Sequence, residues 1–202
     1  MGRYVNKAKK AAIFGGTFNP PHIGHFLLAK DVMKKYLLDK IIFVPSFLPP
    51  HKNGSEVVDA FHREEMVKRL ISGEPSFLIS DYEIKRKTLS YTIDTVKFFM
   101  SEFPGTEFYF LTGSDAFYDI NSWKDSEQLL KLLKFIIYPR RDFPKEKVLK
   151  AVNGAEKMLW TGNSLINISS SDIRKRIRAG ENMREETGQS VWEYIEEKGL
   201  YR

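Results

Sequence analysis

The sequence predicts a single α/β domain built on a doubly wound parallel sheet with helices on both faces. Three observations carry that prediction. Apolar runs of strand length alternate along the chain with longer stretches whose apolar residues recur at helical spacing. Strands separated in this way form βαβ units with right-handed crossovers, so neighbouring strands run parallel. The 202 residues, 42% hydrophobic and 13% aromatic, suffice for one such domain with a core, and no repeat, low-complexity tract or linker divides them.

The elements follow in order. Ala11–Phe14 is a short apolar run stopped by two glycines, a buried strand entering a turn. From His22 to Tyr36, Ile23, Phe26, Leu27, Val32, Met33 and Tyr36 recur at helical spacing, with Pro20 and Pro21 where a helix can begin. Lys40–Val44 is the next strand, closed by Pro45, and Phe61–Ile71 is an amphipathic helix. Phe77–Ser80 is strand, Tyr91–Phe103 helix, Glu107–Leu111 strand, Ser126–Leu133 helix, and Lys134–Tyr138 and Met158–Thr161 strands. Ser170–Ala179 is a basic helix ended by Gly180, and Ser190–Lys198 a last helix with Gly199 as its stop. Residues 1–10 read as a basic extension and 11–202 as the domain.

Composition removes several function classes. There is no cysteine, which excludes disulfides, Cys-based zinc sites and a Cys nucleophile, and which fits a reducing, cytoplasmic setting. No apolar run is long enough to cross a bilayer, and the basic start MGRYVNKAKK leads straight into a strand without a signal-peptide core. The net charge of +6 favours anionic partners, nucleotides as readily as nucleic acid. Its basic clusters, Lys7–Lys10, Lys85–Lys87 and Arg174–Arg178, are not interleaved with aromatics as an RNA platform would be. Neither nucleic acid nor membrane is therefore expected as a partner, and the sequence specifies no oligomeric state.

Ligands of such sheets bind beyond the carboxyl ends of the strands, so functional residues should follow strands. The string GGTFNPPHIGH (Gly15–His25) does. Gly15 and Gly16 clear side chains from a backbone that can approach phosphate, and the helix after them offers free N–H groups and a partial positive charge. His22 and His25 are three residues apart, on one face of the first turn, where both could donate to a polyphosphate that also favours their protonation. The spacing is not that of a metalloprotease helix, and no Gly-Lys-Ser/Thr follows to make a P-loop. A second string, ISSSDIRKRIR (Ile168–Arg178), sets serine hydroxyls at a helix start and Arg174 one turn in, where a guanidinium could clamp phosphate oxygens. Taken alone, histidines on a helix, a serine cap and a basic helix are usually structural; the whole strings in their strand–turn–helix setting are more specific.

With both strings in view, the chain resembles the bacterial nicotinate-nucleotide adenylyltransferases of the nucleotidylyltransferase superfamily, over nearly its full length. GGTFNPPHIGH resembles the superfamily's HxGH motif and ISSSDIR its second phosphate motif, with Ser171 where that family often has Thr. VPSFLPPHK (Val44–Lys52), SYTIDT (Ser90–Thr95), GSDAF (Gly113–Phe117) with Trp123, YPRR (Tyr138–Arg141) and YIEEKGLYR (Tyr194–Arg202) resemble the nicotinate branch. The resemblance implies a Rossmann-like sheet and adenylyl transfer from ATP to nicotinate mononucleotide. It implies that Gly15, Gly16, Thr17, Phe18, Gly113 and Asp115 line the ATP site. His22, His25 and Arg174 would act on the phosphates, with Ile168, Ser169 and Ser170 completing that site. Ser46, Lys52, Tyr91, Thr92, Trp123 and Arg140 would surround the mononucleotide, Trp123 as a flat ring able to stack on pyridine. Mg2+ would arrive with ATP, held by phosphates and water. Rival readings are a transferase with another phosphorylated acceptor, a nucleotide sensor without chemistry, and a nucleic-acid binder. A synthetase fragment with an HIGH-like string lacks a KMSKS-like partner here.

Overall fold

The computed structural model describes residues 8–48, 57–162 and 168–202. In it the apolar runs become β1 (Lys10–Gly16), β2 (Lys40–Pro45), β3 (Phe77–Ile79), β4 (Glu107–Gly113), β5 (Lys134–Tyr138) and β6 (Leu159–Trp160). All pair in parallel, in the order β3-β2-β1-β4-β5-β6. The chain winds outward from β1 to β3, then returns to β4 on the other side of β1. The connections therefore part between β1 and β4, and their carboxyl ends open a crevice there.

Because successive strand residues point to opposite faces, β1 splits between two cores. Ala12 and Phe14 join Leu28, Ala29 and Val32 of α1 (Ile23–Tyr36) and Met66 and Val67 of α2 (Ala60–Leu70). Two later helices, α8 (Ser170–Arg178) and α10 (Gln189–Lys198), close this face with Ile173, Val191 and Ile195. Ala11 and Ile13 instead meet Ile93, Val96 and Phe99 of α4 (Thr92–Glu102), Leu129 of α6 (Ser126–Leu132) and Val148 of α7 (Lys145–Ala151). Short helices α3 (Tyr82–Arg86), α5 (Ser114–Tyr118) and α9 (Arg184–Thr187) occupy the connections. With both faces covered, the central strands are apolar on both sides, which is why they read as unbroken runs rather than alternating ones.

The structure departs from the sequence reading in places. β1 does not stop at Phe14: Gly15 and Gly16 stay in the strand, opposite Val44 and Pro45 of β2. It also begins earlier, at Lys10, and Ala8 is buried, its carbonyl accepting from Thr106 Oγ1 at 2.9 Å. Of the expected extension, residues 8–10 are thus part of the domain, and residues 1–7 lie outside the described residues. The last strand contracts from Met158–Thr161 to Leu159–Trp160, an edge strand paired with Ile136 and Ile137 of β5. The short helices α3, α5, α7 and α9 were not expected, since four to seven mostly polar residues show no readable period. α2 is turned: Asp59 caps it by accepting from Phe61 N at 2.8 Å, Phe61 is 63% exposed and Arg63 only 1%.

Candidate active site

The carboxyl end of β1 approaches its neighbours so closely that any side chain there would have to displace a ring. A Cβ on Gly15 would lie 2.9 Å from the Phe110 ring, and one on Gly16 3.1 Å from that of Phe18. The chain then turns through Phe18, which adopts a left-handed φ of 50°, and a cis Asn19–Pro20 peptide. Phe18 does not face the crevice. Its ring is buried among Phe14, Phe43 and His25, at centroid distances of 5.5, 5.7 and 5.1 Å, so its side chain backs His25.

α1 starts at Ile23 with His22 as its amino-terminal cap residue, and His22 N donates to His25 Nδ1 at 3.2 Å. The two imidazoles lie 3.7 Å apart between centroids, together at one helix start as the three-residue spacing requires. Burial, reinforced by the nearby Arg140 guanidinium, holds His22 down at about 3, so its ring is neutral at pH 7. Protonation of His22 is therefore expected only beside a polyphosphate, whose negative charge favours the charged form.

Three further strands bring partners to the same edge. After β2, Ser46 N donates to Gly16 O at 3.0 Å. At the end of β4, a side chain on Gly113 would meet the Asp115 carboxylate and the Tyr138 ring. After β5, Arg140 donates from one terminal nitrogen to Tyr138 Oη at 2.8 Å, and its Nε lies 3.8 Å from Asp115 Oδ1. Three buried atoms here, His22 Nδ1, Ser46 Oγ and Arg140 Nε, have no hydrogen-bond partner among the described residues. A buried polar group left unsatisfied costs about 1–3 kcal/mol, and three at the ends of three strands mark a place kept for a polar ligand.

A cavity of about 390 Å³ opens beside them. Gly15, Gly16, Thr17 and Ser46 form one wall. Tyr91 and Thr92, at the start of α4, and Trp123 form another. Trp123 makes T-shaped contacts with Phe110 and Phe135, at 6.1 and 6.3 Å between centroids, and lines the cavity. Glu83 also reaches this cavity; burial pushes its carboxyl up, against hydrogen bonds from the Thr95 and Ser90 hydroxyls, Thr95 at 2.5 Å. Arg140 is not among the residues that line the cavity; it stands near His22 and beside Asp115.

The second motif closes the other side. Ser169 Oγ accepts from Asp172 N at 3.1 Å and caps α8, Ser170 Oγ donates to Pro20 O at 2.8 Å, and Arg174 donates to Asn19 O at 2.9 Å. Ile168 packs on the first core. The structure thus joins the two motifs 150 residues apart, through the backbone of the Thr17–Pro20 turn. Lys52 lies outside the described residues. Sequence reading missed Asn19, Arg63, Ser90 and Tyr201, which hold the loops of the site. Asn19, Ser90 and Tyr201 carried a signal, since all three stand inside quoted motifs; Arg63 carried none.

Comparison with known proteins agrees with this geometry. The family description "cytidylyltransferase-like" fits residues 13–176. A protein of Clostridium tetani named probable nicotinate-nucleotide adenylyltransferase is 37% identical over 199 residues, covering 96% of this chain and 100% of its own. One of the same name from Desulfitobacterium hafniense is 40% identical, with 96% of each chain covered. The solved structure of a Plasmodium falciparum nicotinic acid mononucleotide adenylyltransferase, complexed with NaAD, superposes with a TM-score of 0.77 at 24% identity, over 95% of this chain and 97% of that one.

Proposed function

The chain belongs to the cytidylyltransferase-like family and within it to the nicotinate-nucleotide adenylyltransferases, and we propose that it transfers the adenylyl group of ATP to nicotinate mononucleotide, releasing pyrophosphate. The product is nicotinate adenine dinucleotide, a precursor of NAD. The observation that carries this reading is the set of buried polar atoms without a hydrogen-bond partner among the described residues, His22 Nδ1, Ser46 Oγ and Arg140 Nε, together with the cavity that Ser46 and Trp123 line.

The chemistry asks little of the protein beyond placement. The mononucleotide phosphate is already an anion, so its oxygen attacks the α-phosphorus of ATP in line and the bond to pyrophosphate breaks, with no general base and no covalent enzyme intermediate. Alignment of two anions and neutralisation of developing charge then account for the rate. His22, His25 and Arg174 are assigned to the ATP phosphates, with Gly15, Gly16, Thr17, Gly113, Asp115, Ser169 and Ser170 around the nucleotide. Ser46, Tyr91, Thr92 and Trp123 are assigned to the mononucleotide. Arg140, standing between His22 and Asp115, is assigned to the phosphates where the two substrates meet. Magnesium is assigned to the ATP phosphates, with which it enters, held mainly by phosphate oxygens and water. Nicotinate is favoured over nicotinamide by the positive end of α4 at Thr92 and by Lys124, both at the cavity wall. The compartment proposed is the cytoplasm, which supplies ATP.

Pyrophosphate release with MgATP, nicotinate mononucleotide and nicotinamide mononucleotide compared as acceptors, tests the proposal. Preferred turnover of the nicotinate form is expected. Release with neither, while phosphopantetheine or glycerol phosphate turns over, would move the chain to another acceptor.

A further inference from the structure

Arg63 is the largest fully buried side chain of the molecule as described, with 1% exposure, and it stands on the sheet-facing side of α2. Its guanidinium spends its donors on backbone. Nε donates to Val58 O at 2.9 Å, one terminal nitrogen to Thr17 O at 2.8 Å and the other to Phe47 O at 3.0 Å. Thr17 belongs to the turn after β1, and Phe47 follows Ser46 in the loop after β2, so one planar group grips the loops of both substrate sites. The opposite side of the Phe47 peptide is held as well, its N–H donating to Ser90 Oγ at 3.0 Å. Two residues on from Thr17, Asn19 Oδ1 accepts from Val58 N at 3.2 Å and from Tyr201 Oη at 3.0 Å, and Tyr201 is itself buried. Arg63 does not line the cavity, and neither does Tyr201.

A buried cation with three carbonyl partners at different angles is a costly way to hold a fold together; an apolar residue would fill the same volume without desolvating a charge. What an apolar residue cannot do is fix three loop carbonyls in one plane, which is the fork geometry peculiar to arginine. We propose that Arg63, with Asn19 and Tyr201, is a positioning device that sets the ATP loop and the mononucleotide loop at one distance from each other, so that the attacking phosphate and the α-phosphorus meet in line. Arg63 acts on both loops, and Tyr201 on the ATP loop alone.

The inference rests on the reaction proposed above, and wild-type turnover tests that reaction separately from the variants. Arg63→Lys keeps the charge but cannot span three carbonyls, and Tyr201→Phe removes one hydroxyl. With folding checked by circular dichroism and a cooperative melt, Arg63→Lys is expected to lower kcat/KM about tenfold or more for MgATP and for the mononucleotide alike, because small misplacements of reacting groups are costly. Tyr201→Phe is expected to raise KM for MgATP severalfold and leave KM for the mononucleotide unchanged. A merely structural role would lower the melting temperature of both variants without moving either KM. A folded Arg63→Lys enzyme with both constants at wild-type values overturns the proposal. If Arg63→Lys does not fold, Tyr201→Phe decides alone, and an unchanged KM for MgATP overturns it.

Discussion

His22 shows how much a single side chain owes to where the backbone puts it. In water an imidazole titrates at 6.5, but buried at the start of α1 beside Arg140 it is held at about 3. Between those values the unfolded chain takes up a proton that the folded, ligand-free chain refuses, so this contribution to stability is complete above pH 6.5 and is lost progressively as pH falls toward 3. The slope is about 1.4 kcal/mol per pH unit. Denaturant unfolding at pH 7 and pH 5 should therefore show wild type losing roughly 1–2 kcal/mol more than His22→Gln; equal losses would mean that His22 protonates alike in both states. His25 is expected to matter to rate rather than to folding. His25→Ala should lower kcat about a hundredfold, the usual effect of deleting one charge-stabilising donor, and unchanged kinetics would take His25 out of the mechanism.

At the scale of elements, the ends of strands and the starts of helices make the site. Gly15 illustrates the tolerance: Gly15→Ala would press a methyl group onto the Phe110 ring, itself part of the cavity wall. The ring must move, so the variant is expected to raise KM for the mononucleotide while its melting temperature changes little; steady-state kinetics with each substrate varied reads the difference. α8 is set by its cap. Ser169→Ala removes the acceptor of Asp172 N and should cost about 1 kcal/mol in urea unfolding, the ordinary price of a lost cap. A Ser169→Ala protein that unfolds at the wild-type midpoint would show that the contacts from Ser170 and Arg174 to the Pro20 turn anchor α8 without help.

The whole molecule is two cores separated by one sheet. Ile195 lies in one and Ile93 in the other, both fully buried, with no shared partner. Ile195→Val and Ile93→Val should each cost about 1 kcal/mol, and the double variant about 2 kcal/mol, because distant sites add. A marked departure from additivity in chemical unfolding would mean that the sheet transmits strain between its faces. The same layering places the crevice: β1 and β4 are adjacent but their connections lead to opposite sides, and at the carboxyl ends of β1 and β2 Gly16 meets Ser46.

Local pattern was enough to find the six strands, the longer helices and the two motifs, because period, apolar runs and a glycine-rich strand end are properties of neighbouring residues. It also placed Trp123, Tyr91, Thr92 and Ser46 together, through a resemblance carried by short strings, and the cavity brings them together. Local pattern was not enough for Arg63, which hydropathy turns to solvent and the fold turns inward, or for Phe61, which it turns the other way. Nor could it separate Phe18, buried behind His25, from its neighbours in the crevice, or see that Arg140 stands near enough to His22 to oppose its protonation. A charged side chain is buried only when particular carbonyls converge to receive it, here from the loop just before its own helix and from the turns after β1 and β2. That convergence exists only once the sheet has assembled, so the sequence by itself determined the scaffold and the class of chemistry, and the tertiary structure decided which residues hold the two substrate loops in register.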